Sequence, residues 1–174
     1  GESKAKKLLS KKLGSFSKED IRQFLSLLNT DMRDGKERNN RCMPAFYGHL
    51  ANQIAESTEA FNRWSKRLWE ADDNTIDRIL DEFWKENEVA GSGTSLPTAI
   101  LYLRDPDSYA MWMPSLEYGL KVVLPTLKLQ KRRTAEGYRV YNNAFQKIRK
   151  QLDMPPQTID VVLTLASKAG NDKQ

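Results

Sequence analysis

Apolar residues recur every three or four positions along almost the whole chain, a spacing that only the 3.6-residue turn of a helix gathers onto one face. Residues 18 to 33 are the clearest case. Ile21, Phe24, Leu25, Leu28 and Met32 form a stripe, Ser17-Lys-Glu-Asp20 precedes it as a capping box, and Phe16 and Ile21 are spaced as a hydrophobic staple. A polar loop from Asp34 to Arg41 follows, with Asp34-Gly35 read as a helix end. A long amphipathic stretch then carries Phe46, Leu50, Ile54, Phe61, Trp64 and Leu68 on one face, read as a single helix with a possible break near Ser57-Thr58.

Asn74-Thr-Ile-Asp77 reads as the cap of the next helix, whose stripe is Ile76, Ile79, Leu80, Phe83 and Trp84. Leu96 to Leu103 is a short apolar helix that stops because Asp105 precedes Pro106. Further helices start near Pro114, with Leu116, Leu120 and Val123 inward, after an N-cap at Thr134, with Tyr138, Tyr141, Phe145, Ile148 and Leu152 inward, and at Pro155-Pro156, with Ile159, Val162, Leu163 and Ala166 inward. No sustained period of two appears. The expected fold is all-α, a single compact domain of about seven helices over residues 15–168, between a flexible basic segment at 1–14 and a flexible tail at 169–174.

The 174 residues, 39% of them apolar, suffice for one ordinary core. A chain that starts at Gly1 and contains no nucleotide-hydrolysing motif is expected to be a fragment of a longer protein. No apolar run approaches the ~20 residues of a membrane span, and one cysteine, Cys42, cannot form an internal disulfide. The expectation is a cytoplasmic protein without a membrane partner. The net charge of +5 is strongly segregated. Residues 1–13 hold five Lys and one Glu, residues 121–150 hold nine Lys or Arg and one Glu, and residues 14–120 are net acidic. Such segregation is the footprint of a partner-facing basic surface.

Several chemistries are excluded by missing parts. Gly93 is followed by Thr94 where a P-loop needs Lys, and neither the strand nor the third glycine of a dinucleotide loop is present. Pro106-Asp107 begins like a metal-nuclease motif, but Glu117-Tyr-Gly-Leu-Lys121 has the wrong spacing and a helical pattern. Cys42 and His49 are two helical turns apart, too far for a nucleophile and its base. Asp72, Asp73, Asp77, Asp81 and Glu82 lack the alternation and glycine of a calcium loop. Neither catalytic residue, cofactor nor metal is expected.

Gly91-Ser92-Gly93 leaves two readings open. In a DNA-gripping hairpin, Gly-x-Gly lets the backbone approach a phosphate and the following helix offers its N-terminal amides. Ser92 departs from that pattern, where an apolar anchor is usual, and so does Pro97. In a plain turn, the glycines end one helix and Ser95 caps the next.

The stretches "GTSLPTAILYLRDPDSYAMWMPSLEYGL" (93–120) and "YRVYNNAFQKIRKQLDMPPQTIDVVLTLAS" (138–167) resemble the all-helical module found N-terminal to McrB-type AAA+ restriction NTPases and related prokaryotic defence proteins. Gly93, Leu101, Pro106, Tyr109, Tyr141 and Asp160 carry the resemblance, which covers the last half of the chain and leaves residues 1–87 unmatched. It implies a non-catalytic recognition domain attached to a motor and its nuclease subunit, binding DNA or a modified base.

The strongest functional signal from the residues themselves is basic. Lys128, Lys131, Arg132 and Arg133 form a connector able to neutralise phosphates, and Arg139, Lys147, Arg149 and Lys150 lie off the apolar stripe of the next helix. With Gly91 and Gly93 they make the candidate nucleic-acid contact, for DNA or alternatively RNA. Trp112 and Tyr109 are either base-stacking platforms or core. The competing function is a protein-interaction or scaffold domain whose basic surface meets an acidic partner.

Overall fold

A computed structural model describes residues 1–33, 36–39, 41–42 and 45–172. Nine helices are found among the described residues: α1 (Glu2–Lys11), α2 (Lys18–Asn29), α3 (Gly48–Glu56), α4 (Thr58–Glu70), α5 (Ile76–Glu86), α6 (Ser95–Arg104), α7 (Pro114–Val123), α8 (Ala135–Gln151) and α9 (Pro156–Asp172). A short antiparallel pair, β1 (Thr30–Arg33) and β2 (Lys36–Asn39), follows α2. None of these helices is long and apolar enough to cross a membrane.

The fold is mostly helical, with two helices more than the period suggests. The stretch from Phe46 to Leu68 divides at Ser57, which ends α3 and begins α4. The other addition is α1. Residues 1–14 were expected to be flexible, yet Glu2–Lys11 is a helix in which Ala5 and Leu9 are fully buried. Two apolar positions four apart suffice to seat it on α2 and α6, although five lysines surround them. The C-terminal boundary shifts similarly, because α9 runs on to Asp172.

The capping box forms as its residues predict. Asp20 N donates to Ser17 Oγ at 3.1 Å and Ser17 N to Asp20 Oδ2 at 2.9 Å. Phe16 is buried beneath them against Phe24 and Phe61, and Asn62 bonds both its backbone N and O. This helix ends at Asn29 rather than near Arg33: Met32 belongs to β1, and the strands pair from Thr30↔Asn39 to Arg33↔Lys36. Asp34-Gly35, read from sequence as a helix end, lies outside the described residues. The start of α5 also differs: Asp72, not Asn74, organises it, its carboxylate accepting from the amides of Asn74 and Thr75.

The core unites the inner faces of all nine helices. α4 packs on α5 and α6, α5 on α8, and α7 on α9. At this last crossing a Cβ on Gly119 would overlap the Leu163 carbonyl, so only glycine lets the two backbones approach so closely. The extended segment before α7 is bound on both sides. Tyr138 and Tyr141 of α8 donate to the carbonyls of Ala110 and Met111 at 2.8 and 2.6 Å, and Trp112 N donates to Thr98 Oγ1 of α6 at 2.8 Å. Trp112 stacks on Tyr141 with ring centroids 5.5 Å apart. These bonds hold α6, α7 and α8 in register around the turn and connector described next.

Candidate nucleic-acid interface

The turn between α5 and α6 has both the geometry of a close approach and that of an anion cradle. Gly91 has φ 78°, and a Cβ there would sit 2.9 Å from Leu50 O of α3, so this glycine is required by packing. Gly93 has φ 52° with nothing near its Cβ position, so it is required by the backbone turn alone. Thr94 follows at φ −81°, ψ −18°. A left-handed residue before a right-handed one converges successive amides into a nest that favours anions. The amides of Gly93, Thr94 and Ser95 have no acceptor among the described residues. Trp84 Nε1 donates to Gly93 O at 3.0 Å and fixes that peptide plane, turning the Thr94 amide to its opposite side.

Ser95 does not cap α6. Its hydroxyl and that of Thr94 both donate to Trp112 O, at 3.3 and 2.7 Å, which leaves the helix start without a side-chain cap. The N-terminal partial charge of α6 therefore stands uncompensated. Ser92 occupies the position where a hairpin would have an apolar anchor, and it is buried as an anchor would be, at 6% exposure.

A cavity of about 300 Å³ opens here, lined by the turn, Ala45, Leu50, Asn87, Pro114, Arg132 and Arg133. Four of the expected contact residues, Gly91, Gly93, Arg132 and Arg133, thus share one cavity. The arginines differ. Arg132 forms an ion pair with Glu117, whose side chain is 4% exposed and also accepts from Trp112 Nε1 at 3.2 Å. Arg133 has no partner among the described residues and stands at φ 58°, a strained setting for a non-glycine residue.

Lys128, Lys131 and Lys147 belong to other hollows that share no lining residue with this one. A groove of about 530 Å³ between residues 124–128 and α8 is lined by Lys128 and Lys147 over Leu127, Val140, Ala144 and Ile148. A hollow of about 280 Å³ adjoins it through Lys128 and Val140 and includes Lys131. Lys150 is exposed on α8, one turn beyond Lys147.

Several expected contacts are engaged internally. Arg139 is bonded to Asp77 at 2.5 Å, and that bond holds its guanidinium more firmly protonated. Arg149 donates to Gln146 and to the carbonyls of Met154 and Asp107, so it fastens the α8–α9 turn to the turn after α6. Lys131 pairs with Glu136 at 2.8 Å. The side chains of Lys128, Arg133, Lys147 and Lys150 have neither ion pair nor hydrogen bond to the described residues. Trp112 is core, while Tyr109 is half-buried, with the Arg104 guanidinium 5.3 Å from its ring and its hydroxyl donating to Asp73 at 2.7 Å. Burial and then the Asp73 carboxylate push the Tyr109 hydroxyl up to about 12.

Cys42 is buried with its thiol against Leu28 O, while His49 is exposed. No cluster of three His, Cys, Asp or Glu residues suited to a metal is found among the described residues. The site features that the sequence did not reveal are the burial of Ser92, the uncapped start of α6 and the buried Glu117. Comparison with known proteins finds no matching family model, no similar curated protein and no similar solved structure.

Proposed function

We propose that this chain is a non-catalytic nucleic-acid-binding or target-recognition domain of a larger prokaryotic defence NTPase. The observation that supports the reading best is the set of unpartnered cations, Lys128, Arg133, Lys147 and Lys150, along one connector and the helix it precedes. A cation satisfied by a carboxylate has little left to offer a phosphate, whereas an unpartnered one releases a counterion when it contacts the backbone. The uncapped start of α6 beside Arg133 adds neutral donors of the kind that position a phosphate without reading sequence. The attachment to a motor rests on the resemblance of residues 93–120 and 138–167, and a gene encoding an AAA+ region downstream of this chain is the corresponding test.

The binding test is a salt titration with a labelled DNA duplex. Affinity should fall steeply with salt, by about 0.9 in log Kd per log salt for each phosphate neutralised, and unlabelled duplex of unrelated sequence should compete. Failure to bind DNA or RNA at low salt would remove this reading. One feature favours the alternative of a protein-interaction or scaffold domain: the Lys128–Lys147 groove has an apolar floor, including the exposed Val140, which suits an acidic amphipathic segment. Binding of such a peptide that duplex DNA does not displace would favour it.

A further inference from the structure

The cavity at the Gly-Ser-Gly turn contains a group that the fold itself does not use. Ser92 is 94% buried, and its hydroxyl has no hydrogen-bond partner among the described residues. Among those residues the only sealed and unpartnered side-chain polar atom is Trp64 Nε1, so the Ser92 oxygen retains an opening, and Ser92 lines the cavity. A hydroxyl that has lost most of its water without gaining a partner is destabilising unless something else bonds it. Three unpaired amides, Gly93, Thr94 and Ser95, start the helix beside it, and Arg133 brings an unpartnered positive charge to the same wall.

From these donors we infer that the cavity binds a nucleoside 5′-phosphate group through its terminal phosphate. Amides and a hydroxyl alone would accept any anion. The Arg133 guanidinium added to them favours a phosphate monoester, which has more negative charge and one more terminal oxygen than the diester inside a strand. The volume, about 300 Å³, exceeds what a phosphate alone fills and lies at the lower end of small-molecule sites. Ala45, Leu50 and Pro114 supply an apolar wall for a sugar and ring, and Asn87 also lines the cavity. The choice of a nucleoside as the phosphate's carrier rests on the nucleic-acid reading above. The group has two possible sources, a free mononucleotide or the 5′-phosphorylated end of a strand.

The experiment compares two ten-nucleotide single strands of one sequence, labelled at the 3′ end, one carrying a 5′-phosphate and one a 5′-hydroxyl. Adenosine 5′-monophosphate and inorganic phosphate serve as competitors. The phosphorylated strand should bind at least about tenfold more tightly, as one or two charge-assisted hydrogen bonds allow. Its binding should shift the amide resonances of Gly93, Thr94 and Ser95. Ser92→Ala and Arg133→Gly should each abolish the difference between the strands. Both should fold normally, the first because no internal bond is lost and the second because glycine relieves φ 58°.

Competition by adenosine 5′-monophosphate at its own comparable affinity would identify the free nucleotide as sufficient. Preference for the phosphorylated strand without such competition would identify the strand end. Equal binding of the two strands, with the three amides unmoved by either strand or by the mononucleotide, overturns the inference. Salt-dependent duplex binding that survives this outcome would leave the nucleic-acid reading standing.

Discussion

Two arginines show how differently this chain uses the same side chain. Arg41 is 9% exposed and lies between Glu2 of α1 and Asp160 of α9, bonded to Asp160 by two nitrogens at 3.0 and 3.2 Å, with its guanidinium 5.9 Å from the Tyr102 ring. Burial opposes its charge, but Asp160 and Glu2 outweigh it and raise its pKa. Tyr102 completes the cluster by donating to Glu2 at 2.6 Å. Arg133 has none of this: it is exposed, strained and without a partner among the described residues, beside a cavity with unused donors. Arg41 clasps the first helix to the last, and its charge is consumed by the fold. Arg133 makes no ion pair or side-chain hydrogen bond with the described residues, so its charge is not consumed by them.

This contrast predicts graded effects. Arg41→Ala leaves two largely buried carboxylates facing one another and should cost about 2 to 4 kcal/mol in a urea melt. A loss below 1 kcal/mol would mean that the clasp does not hold the termini. Arg132 is intermediate, since it is 58% exposed but serves the buried Glu117. Arg132→Ala should cost about 1 to 2 kcal/mol, and adding Glu117→Gln should recover part of it, because the stranded charge is then gone. If the double variant is less stable than the single one by the full cost of Glu117→Gln alone, the two residues are not coupled.

The smallest effect belongs to a half-buried pair, Lys12 and Asp20. The Lys12 ammonium and the Ser17 amide hold the Asp20 carboxyl down to about 2 from an ordinary 3.8. A depressed carboxylate adds stability that is complete above its ordinary value and disappears as pH falls toward the depressed one. Asp20→Asn should therefore reduce thermal stability slightly above pH 5, with the difference from wild type closing between about pH 4 and pH 2. A difference independent of pH would show that the capping geometry, not the charge, is what Asp20 supplies.

Residues whose role is set by near neighbours in sequence were legible. Ser17 and Asp20 cap because they are three apart, and Thr134 accepts from Gly137 N as an N-cap should. Tertiary pairings left weaker traces. Glu117 is fifteen positions from Arg132 and lies on the helix whose inward residues were read as Leu116, Leu120 and Val123, yet Glu117 is buried and Val123 exposed. Apolar periodicity cannot show that Trp112 and Arg132 would satisfy a carboxylate in the core. The β1–β2 pair escaped because its bonds are backbone bonds and, apart from Met32, its residues are charged or polar and do not alternate with apolar ones. The basic connector was visible as charge, but which cations the fold consumes depended on Glu136 within the same segment and on Glu117 and Asp77 arriving from other helices. Ser92 did leave a trace, as a polar residue in a hairpin position that wants an anchor.

The proposed contact depends on the position rather than the quantity of charge, and α1 supplies a matched control with its exposed Lys4, Lys6, Lys7 and Lys11. The decisive measurement is the salt dependence of duplex DNA affinity in two variants that each lose four positive charges. One carries Lys128→Ala, Arg133→Gly, Lys147→Ala and Lys150→Ala; the other carries alanine at the four α1 lysines. The first should flatten the slope of log affinity against log salt by about 3 to 4, and the second by less than about 1. Equal flattening by the two variants, or none by the first in a folded protein, would contradict the assignment of the connector and α8 as the contact surface.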